Sequence, residues 1–221
     1  MHALICFIRK TVDYFLNFIL DEDNSLLILR KMGQANFIDY LYNNFKPERN
    51  DLENFNHIFS YQHKDIKNLI WQLKFNDNKN VANIFGKILA KEVDSIVENI
   101  PYKDFFLIPI PIHSKRRRER GYNQCEWLCE SISKNLTRGN IIYRKDILKR
   151  IVYKKKQSWN KDREGRFDAV RDIYKIKSNE VDRKNFILID DVYTTGSTVN
   201  EARRILLESG ADKIIILTIA H

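Results

Sequence analysis

Continuous apolar runs and amphipathic stretches alternate along most of this chain, which is the pattern of an α/β protein. Apolar runs predict strands at residues 57–61, 105–110, 186–189 and 214–219. The last three are typical of strands that are buried on both faces of a sheet. A strand, a helix and a strand over residues 186–219 form a βαβ unit, in which the two strands are expected to be parallel.

Helices are predicted between these strands, because apolar residues recur there at every third or fourth position. They cover residues 65–75, 81–97, 122–136 and 199–209, and Gly210 is expected to close the last of them. Each of these helices has one apolar side, which can pack on a sheet.

The first 55 residues have a less regular pattern. Apolar residues at helical spacing predict a helix over residues 1–20, whereas residues 21–55 contain short apolar clusters without a clear period. We therefore predict a mainly helical N-terminal extension, residues 1–55. An α/β domain, residues 56–221, is expected to contain a mostly parallel sheet flanked by helices.

The three cysteines, Cys6, Cys125 and Cys129, are too few for a disulfide framework or a four-ligand zinc site. A reducing cytoplasm is therefore the expected location, and no zinc is expected. Cys125 and Cys129 lie on the apolar side of a predicted helix, so we expect them to pack in the core. Arg9, Lys10 and Asp13 interrupt the apolar N-terminus, and neither a signal peptide nor a membrane span is expected.

Positive charge is concentrated in one segment. Residues 111–175 contain 19 Lys and Arg against 8 Asp and Glu, and the rest of the chain has 19 against 21. The net charge of +9 therefore comes from this segment alone. Such a localised excess favours polyanionic ligands over a merely solvated surface.

The strongest chemical signal follows the apolar run at residues 186–189. Asp190 and Asp191 come directly after it, and adjacent carboxylates can accept hydrogen bonds from the cis hydroxyls of a ribose. A loop that offers hydroxyls and free N–H groups to a phosphate then leads into the next helix. This loop consists of Thr194, Thr195, Gly196, Ser197 and Thr198.

Two other interpretations of this segment explain less of it. A buried strand followed by a capped helix requires one Ser, Thr or Asp, which leaves the second acid and most hydroxyls unexplained. A Walker B strand would require a G-x-x-x-x-G-K-[ST] loop elsewhere, and none of the seven glycines forms one.

The segment from Ile189 to Thr198 resembles the phosphoribosyl pyrophosphate (PRPP) loop of type I phosphoribosyltransferases. The resemblance implies that the catalytic pair, Asp190 and Asp191, holds the ribose hydroxyls directly or through Mg²⁺. It also implies that the loop wraps the 5′-phosphate. The implied PRPP-binding residues are Val192, Tyr193, Thr194, Thr195, Gly196, Ser197 and Thr198. Tyr193 stands where smaller residues are common, and either shapes the acceptor side or covers the loop.

A second motif narrows the resemblance to the ComF/GntX group of phosphoribosyltransferase-like proteins. Two prolines and an arginine cluster follow the strand at residues 105–110, and Arg120-Gly121-Tyr122-Asn123-Gln124 opens the next helix. Upstream, Leu73-Lys74-Phe75 fits a pattern of the same group. The resemblance covers about residues 57–220 and implies a role in DNA uptake during natural transformation. Many members begin with a Cys-rich zinc ribbon, which is not expected here.

The basic loop after residue 110 is the expected pyrophosphate site. Departure of pyrophosphate builds up negative charge, which arginines and Mg²⁺ can neutralise. The candidates are Lys115, Arg116, Arg117 and Arg120, with Arg116 and Arg120 preferred. Residues 154–166, with Gln157 and Arg163, form either a hood over the substrate or a solvated loop.

Three functions remain open at this point. The complete acid pair and loop favour an enzyme, either a pentosyl transferase or a PRPP hydrolase that requires Mg²⁺. The basic segment and its interleaved aromatic residues favour a single-stranded DNA-binding factor of the competence machinery that uses the PRPP site for regulation. These aromatic residues are Tyr122, Trp127, Tyr143, Tyr153 and Trp159. A regulator that senses PRPP without chemistry is the third, although no helix-turn-helix is evident.

Overall fold

The computed structural model describes residues 24–45, 54–98, 100, 104–138, 141–153, 172–178 and 180–221. The predicted helix over residues 1–20 and the predicted hood over residues 154–166 lie outside the described residues.

Helices and strands alternate through the described residues. In chain order the elements are α1 (Asn24–Asn44), β1 (Phe55–Phe59), α2 (Lys64–Phe75), α3 (Lys79–Glu98), β2 (Phe105–Pro109), α4 (Ser114–Arg120), α5 (Gln124–Asn135), β3 (Ile141–Tyr143), β4 (Leu148–Arg150), β5 (Tyr174–Ile176), β6 (Asn185–Val192), α6 (Ser197–Glu208) and β7 (Lys213–Ala220).

Five strands form one parallel sheet in the order β1-β7-β6-β2-β3. The strands β6 and β7 are neighbours, with Ile187 opposite Ile215, so the predicted βαβ unit is confirmed. The strands β4 and β5 form a separate antiparallel pair, with Lys149 opposite Lys175. The fold is therefore α/β with a mostly parallel sheet flanked by helices, as predicted.

Each face of the sheet buries its own core. In β6, Ile187 and Ile189 share one apolar cluster with residues of α2, α3 and α5. Phe186 and Leu188, which alternate with them, share the other cluster with residues of α6. Successive side chains of a strand point to opposite faces, so a strand with both sides buried must be apolar throughout. This requirement explains the uninterrupted apolar run that precedes the acid pair.

The arginine-rich segment forms the short helix α4, so the predicted basic loop is confined to the residues just before it. Lys, Arg and Glu are good helix formers. The His113 side chain caps the helix by accepting a hydrogen bond from the Lys115 N–H at 3.1 Å. Gly121 ends the helix in the left-handed conformation, with φ of 87°.

The α6 helix ends one residue earlier than predicted, with Ser209 as its C-cap. Gly210 follows with φ of 92°, which a residue without a Cβ adopts easily. The first strand lies two residues earlier than predicted, because it ends at Phe59 rather than at residue 61. Both differences are small shifts of a boundary.

Most of the described part of the predicted N-terminal extension is the helix α1, which bends at Gly33, and the last predicted residue, Phe55, begins β1. Phe37 and Leu41 are fully buried in the same cluster as α2 and α3. The Ser25 hydroxyl also donates a hydrogen bond to Asp65 at 3.0 Å. The division at residue 55 stays a prediction. None of the described helices is long and apolar enough to span a bilayer.

Candidate functional site

The two acids lie at the carboxyl end of β6, the central strand of the parallel sheet. Asp190 is opposite Thr218 of β7, and the neighbouring strand β2 leads towards the arginine-rich helix α4. In open parallel sheets, ligands bind outside this end of the strands. The topology therefore brings the two sequence motifs to one edge of the sheet.

Asp191 is buried, at 4% exposure, and is held by two side chains. The ammonium of Lys74 lies 2.9 Å from its Oδ1 atom, and the amide of Gln124 donates to its Oδ2 atom at 2.6 Å. The other end of the Gln124 amide accepts a hydrogen bond from Arg120 at 2.6 Å. A chain of three polar side chains thus connects the arginine-rich helix to the acid pair.

Asp190 accepts two hydrogen bonds at its Oδ1 atom. The backbone N–H of Asp191 donates at 2.9 Å and the thiol of Cys125 at 3.4 Å. Burial and then the adjacent charge of Asp191 raise the pKa of Asp190, against the opposing effect of Lys74. Burial and mutual repulsion therefore destabilise the ionised form of the acid pair, and a bound cation would reduce this destabilisation.

Both cysteines of α5 are buried. Cys129 belongs to the core, as predicted. Cys125 is buried too, but its thiol also faces the acid pair, and one ligand atom each from Cys125, Asp190 and Asp191 lies within 4.8 Å of the other two. Burial, followed by the charges of the two acids, raises the pKa of the Cys125 thiol well above its ordinary value. The thiol therefore stays protonated and donates to Asp190.

The loop after the acids forms a small cradle at the start of α6. Gly196 has φ of 69° and is the residue before the helix, and its carbonyl accepts from the Asn200 N–H at 2.8 Å. The hydroxyls of Thr195 and Ser197 lie 2.9 Å apart. A cavity of about 40 Å³ is lined by Asp190 and the loop residues from Val192 to Val199. Its hydroxyls and the helix N-terminus suit an oxyanion.

Tyr193 lies over this loop. A Cβ on Gly196 would come within 2.1 Å of the Tyr193 hydroxyl, so the close approach requires glycine. Asn200 donates a hydrogen bond to the same hydroxyl at 3.3 Å. The centre of the Tyr193 ring lies 4.2 Å from the ring centre of Phe55 and 5.3 Å from that of His221. Two roles were considered for Tyr193, shaping the acceptor side or covering the loop, and these contacts agree with the second.

The four basic candidates of the pyrophosphate site have different surroundings. Arg120 reaches the acid pair through Gln124, and burial together with the charge of Arg116 lowers the pKa of Arg120. Arg117 instead forms a bidentate ion pair with Glu126. Lys115 lies 4.9 Å from the ring centre of Tyr153. Arg120 is therefore the member of the set that described contacts connect to the acids, and Arg116 lies close enough to lower the pKa of Arg120.

The antiparallel pair of β4 and β5 brackets the segment in which the hood was predicted. Shortly before β5, the backbone N–H of Asp172 donates a hydrogen bond to Glu201 of α6. Arg204 joins them, donating to Glu201 at 2.9 Å and to Asp172 at 2.7 Å. Asp172 is therefore attached to the helix that starts at the cradle. Gln157 and Arg163 lie outside the described residues.

The sequence indicated no role at the site for Lys74 or Gln124, and it predicted Cys125 only in the core. Lys74 and Gln124 were present in the quoted motifs, and Cys125 follows Gln124 directly. The sequence does not show that Gln124 and Asp191 are close in space, because they are 67 positions apart along the chain. A polar residue beside a buried helical position, such as Lys74 next to Leu73, is the signal that could have identified them.

The fold is of the type I phosphoribosyltransferase-like class, and a double acid and a hydroxyl-rich loop lie at the end of the central strand of its parallel sheet. Within that class, the chain is a homologue of the ComF competence proteins, which confirms the resemblance of its motifs.

The sequence comparisons carry this assignment. The chain is 32% identical over 151 residues to competence protein ComFC of Bacillus subtilis, with 68% of this chain and 57% of that protein covered. It is 29% identical over 157 residues to ComFC of Streptococcus pneumoniae, with 71% and 63% covered. DNA utilization protein YhgH of Escherichia coli K12 is 27% identical, with 65% and 61% covered. The matches therefore span about three fifths of these relatives. No protein-family model matches the chain.

Two solved structures are also similar. The hypoxanthine phosphoribosyltransferase of Staphylococcus aureus has a TM-score of 0.39 and 12% identity, with 64% of this chain and 63% of that chain covered. The glutamine PRPP amidotransferase of Bacillus subtilis has a TM-score of 0.40 and 18% identity, with 67% and 30% covered.

Proposed function

We propose that this protein binds PRPP together with Mg²⁺ and transfers or hydrolyses its phosphoribosyl group. The observation that carries the proposal is the placement of the acid pair beside the cradle, with Arg120 and Lys74 converging on the same edge of the sheet. This arrangement offers separate contacts for the 5′-phosphate, the ribose and the pyrophosphate of PRPP. The names of the relatives, competence and DNA utilization proteins, support a role in DNA uptake.

The acid pair is suited to Mg²⁺. Carboxylate oxygens are the ligands that this ion prefers, and it usually shares them with substrate oxygens and water. The hydrogen bonds that Asp190 receives from described residues all end on one oxygen, Oδ1. The protonated thiol of Cys125 is a poor competitor as a ligand. Asp190 and Asp191 would therefore hold the ion, which would neutralise charge on the leaving pyrophosphate.

In this proposal the protein contributes mainly positioning and charge. The cradle would hold the 5′-phosphate, and the acids would fix the ribose hydroxyls. The bond between C1 of the ribose and the pyrophosphate oxygen breaks, and the electron pair leaves with pyrophosphate. The acceptor, or water in hydrolysis, forms the new bond to C1 and loses a proton. Arg116 and Arg120 would stabilise the departing charge.

Thermal unfolding with PRPP and Mg²⁺ tests the site. Ligand at about 100 times its dissociation constant stabilises the folded protein by roughly 2.7 kcal/mol. For a chain of this length, that is a rise in Tm of roughly 5–10 °C. The rise should require Mg²⁺ and should disappear in Asp190→Asn plus Asp191→Asn. Release of pyrophosphate with a candidate acceptor or water then tests catalysis.

A matched control is Asp104→Asn plus Asp182→Asn. These residues precede β2 and β6, at the other end of the sheet, and the net charge changes equally. The control variant should keep the full rise in Tm. If millimolar PRPP and Mg²⁺ leave the Tm of the unmodified protein unchanged, the proposed function is wrong.

Single-stranded DNA binding is the second candidate, and one surface favours it. The rings of Tyr122 and Trp127 stack 4.0 Å apart, and Lys79 lies 5.2 Å from the ring centre of Trp127. Phe75 is 52% exposed, with Arg120 5.2 Å from its ring centre. Aromatic and cationic groups thus alternate beside the acid pair, as they do in proteins on which bases stack.

Anisotropy of a labelled thymidine oligonucleotide tests this second function. Loss of one stacking contact costs about 1–3 kcal/mol, so Phe75→Ala and Trp127→Ala should each weaken binding roughly tenfold. Leu207→Ala removes another exposed apolar side chain, on α6, and should leave binding unchanged. Affinity should fall steeply as salt increases. Equal affinity in all three variants would contradict binding at this surface.

A further inference from the structure

Lys74 reaches the acid pair from a part of the chain far from the acid motif. It is the penultimate residue of α2, whose apolar side is buried through Ile66, Leu69, Ile70 and Leu73. The backbone of Lys74 is therefore fixed, while its side chain is a flexible four-carbon stem that ends in a point charge. That side chain is 24% exposed, against 5% for Asp191. The ammonium can thus leave Asp191 without movement of the helix.

Lys74 places a positive charge directly beside the acid pair. Burial by itself would lower the pKa of Lys74, but the charge and hydrogen bond of Asp191, with the charge of Asp190, outweigh it and raise the pKa. The ammonium therefore stays charged beside two carboxylates. Arg120 acts on the pair only through Gln124. Lys74 is the cation in direct contact with Asp191 among the described residues.

We propose that Lys74 is the resting counter-ion of the acid pair and weakens its binding of a divalent cation alone. When the metal arrives together with a sugar phosphate, Lys74 leaves Asp191 and turns to the phosphate charges. The inference rests on the proposed PRPP site and adds its regulation. Cation and anion bind cooperatively, because the cation replaces Lys74 beside the acids and the released Lys74 neutralises charge on the anion. Such coupling is reciprocal between the two ligands.

Binding of Mn²⁺ alone, followed by the electron paramagnetic resonance signal of the free ion, tests this role without PRPP. Lys74→Gln removes the competing charge but keeps a polar side chain, so Mn²⁺ should bind at least roughly tenfold more tightly. Lys74→Arg keeps the charge and should retain the weak affinity of the unmodified protein. Addition of Asp191→Asn to Lys74→Gln should abolish the gain.

Lys67→Gln is the matched control, because Lys67 is an exposed residue on the same helix and its loss changes the net charge equally. This variant should bind Mn²⁺ as the unmodified protein does. The inference is wrong if Lys74→Gln leaves the Mn²⁺ affinity unchanged or weaker, or if Lys67→Gln tightens binding as much.

A measurement on the unmodified protein covers the case in which Lys74→Gln does not fold. Acetylation of each lysine, mapped by mass spectrometry, should increase at Lys74 relative to Lys67 when saturating Mn²⁺ breaks the ion pair. Equal or reduced acetylation at Lys74 would overturn the inference. Both tests use the metal alone. Failure of PRPP to raise the Tm would therefore refute the proposed function without changing these results.

Discussion

Replacement of Asp190 by Asn should stabilise the fold while it removes the proposed ligand site. Asn has nearly the same shape, and its Oδ1 atom can still accept from the Asp191 N–H and the Cys125 thiol. The substitution removes a charge whose burial and proximity to Asp191 raise the pKa. Each unit of such a shift corresponds to about 1.4 kcal/mol of lost stability when the group is ionised. We expect a gain of about 1–3 kcal/mol at pH 8.

The sign of the pH dependence follows from the raised pKa. An aspartate in the unfolded chain has a pKa near 3.9, so the folded protein takes up the Asp190 proton at a higher pH than the unfolded chain does. As pH falls through the folded pKa, the unmodified protein gains stability relative to the variant, by at most about 1.4 kcal/mol per pH unit. The difference between the two should therefore vanish towards pH 4.

Denaturant unfolding followed by tryptophan fluorescence, from pH 8 to pH 4.5, measures this difference. Asp182→Asn, an exposed acid before β6, is the control and should show no such trend. The conclusion that burial and Asp191 destabilise the charge of Asp190 is wrong if Asp190→Asn is less stable than the unmodified protein at pH 8. It is also wrong if the variant is equally stabilised at every pH.

Three further changes follow from the contacts. Gly196→Ala should lower the free energy of unfolding by about 1–3 kcal/mol and abolish the rise in Tm with PRPP, because the new Cβ would collide with Tyr193. Gly121→Ala is the control, because Gly121 is also at positive φ but a Cβ there would meet nothing within 4 Å. This control should lose less stability in denaturant unfolding and keep the rise in Tm. Glu201→Gln should destabilise the protein by about 1 kcal/mol at neutral pH. Because the hydrogen bond from Arg204 lowers the pKa of Glu201, that loss should shrink in unfolding experiments as pH falls below about 4.3; a constant loss would contradict it. Cys125 and Cys129 should resist a maleimide reagent in the folded protein at neutral pH, since burial raises both thiol pKa values, and peptide mapping that finds rapid labelling would refute this.

The sequence was sufficient where a property depends on neighbours along the chain. The buried strands at Phe105–Pro109 and Asn185–Val192 could be predicted because a strand with two buried faces needs an uninterrupted apolar run, which residues 105–108 and 186–189 supply. The position of the loop at the start of α6 could be predicted for a similar reason, since acids, loop and helix start are consecutive residues. The change of the arginine cluster from loop to helix is also local, because no glycine occurs between residue 113 and Gly121.

Relations between distant residues required the tertiary structure. The strand order brings the end of β2 beside the end of β6, and only this neighbourhood connects Arg120 through Gln124 to Asp191. Two of the basic candidates then differ in their contacts, because Arg117 pairs with Glu126 while Arg120 contacts Gln124 at the site. Lys74 comes to Asp191 across more than a hundred positions. The sequence by itself thus determined which groups the candidate site contains and in what local order. The three-dimensional packing decided which charges meet, since electrostatic energy depends on distance in space and on burial.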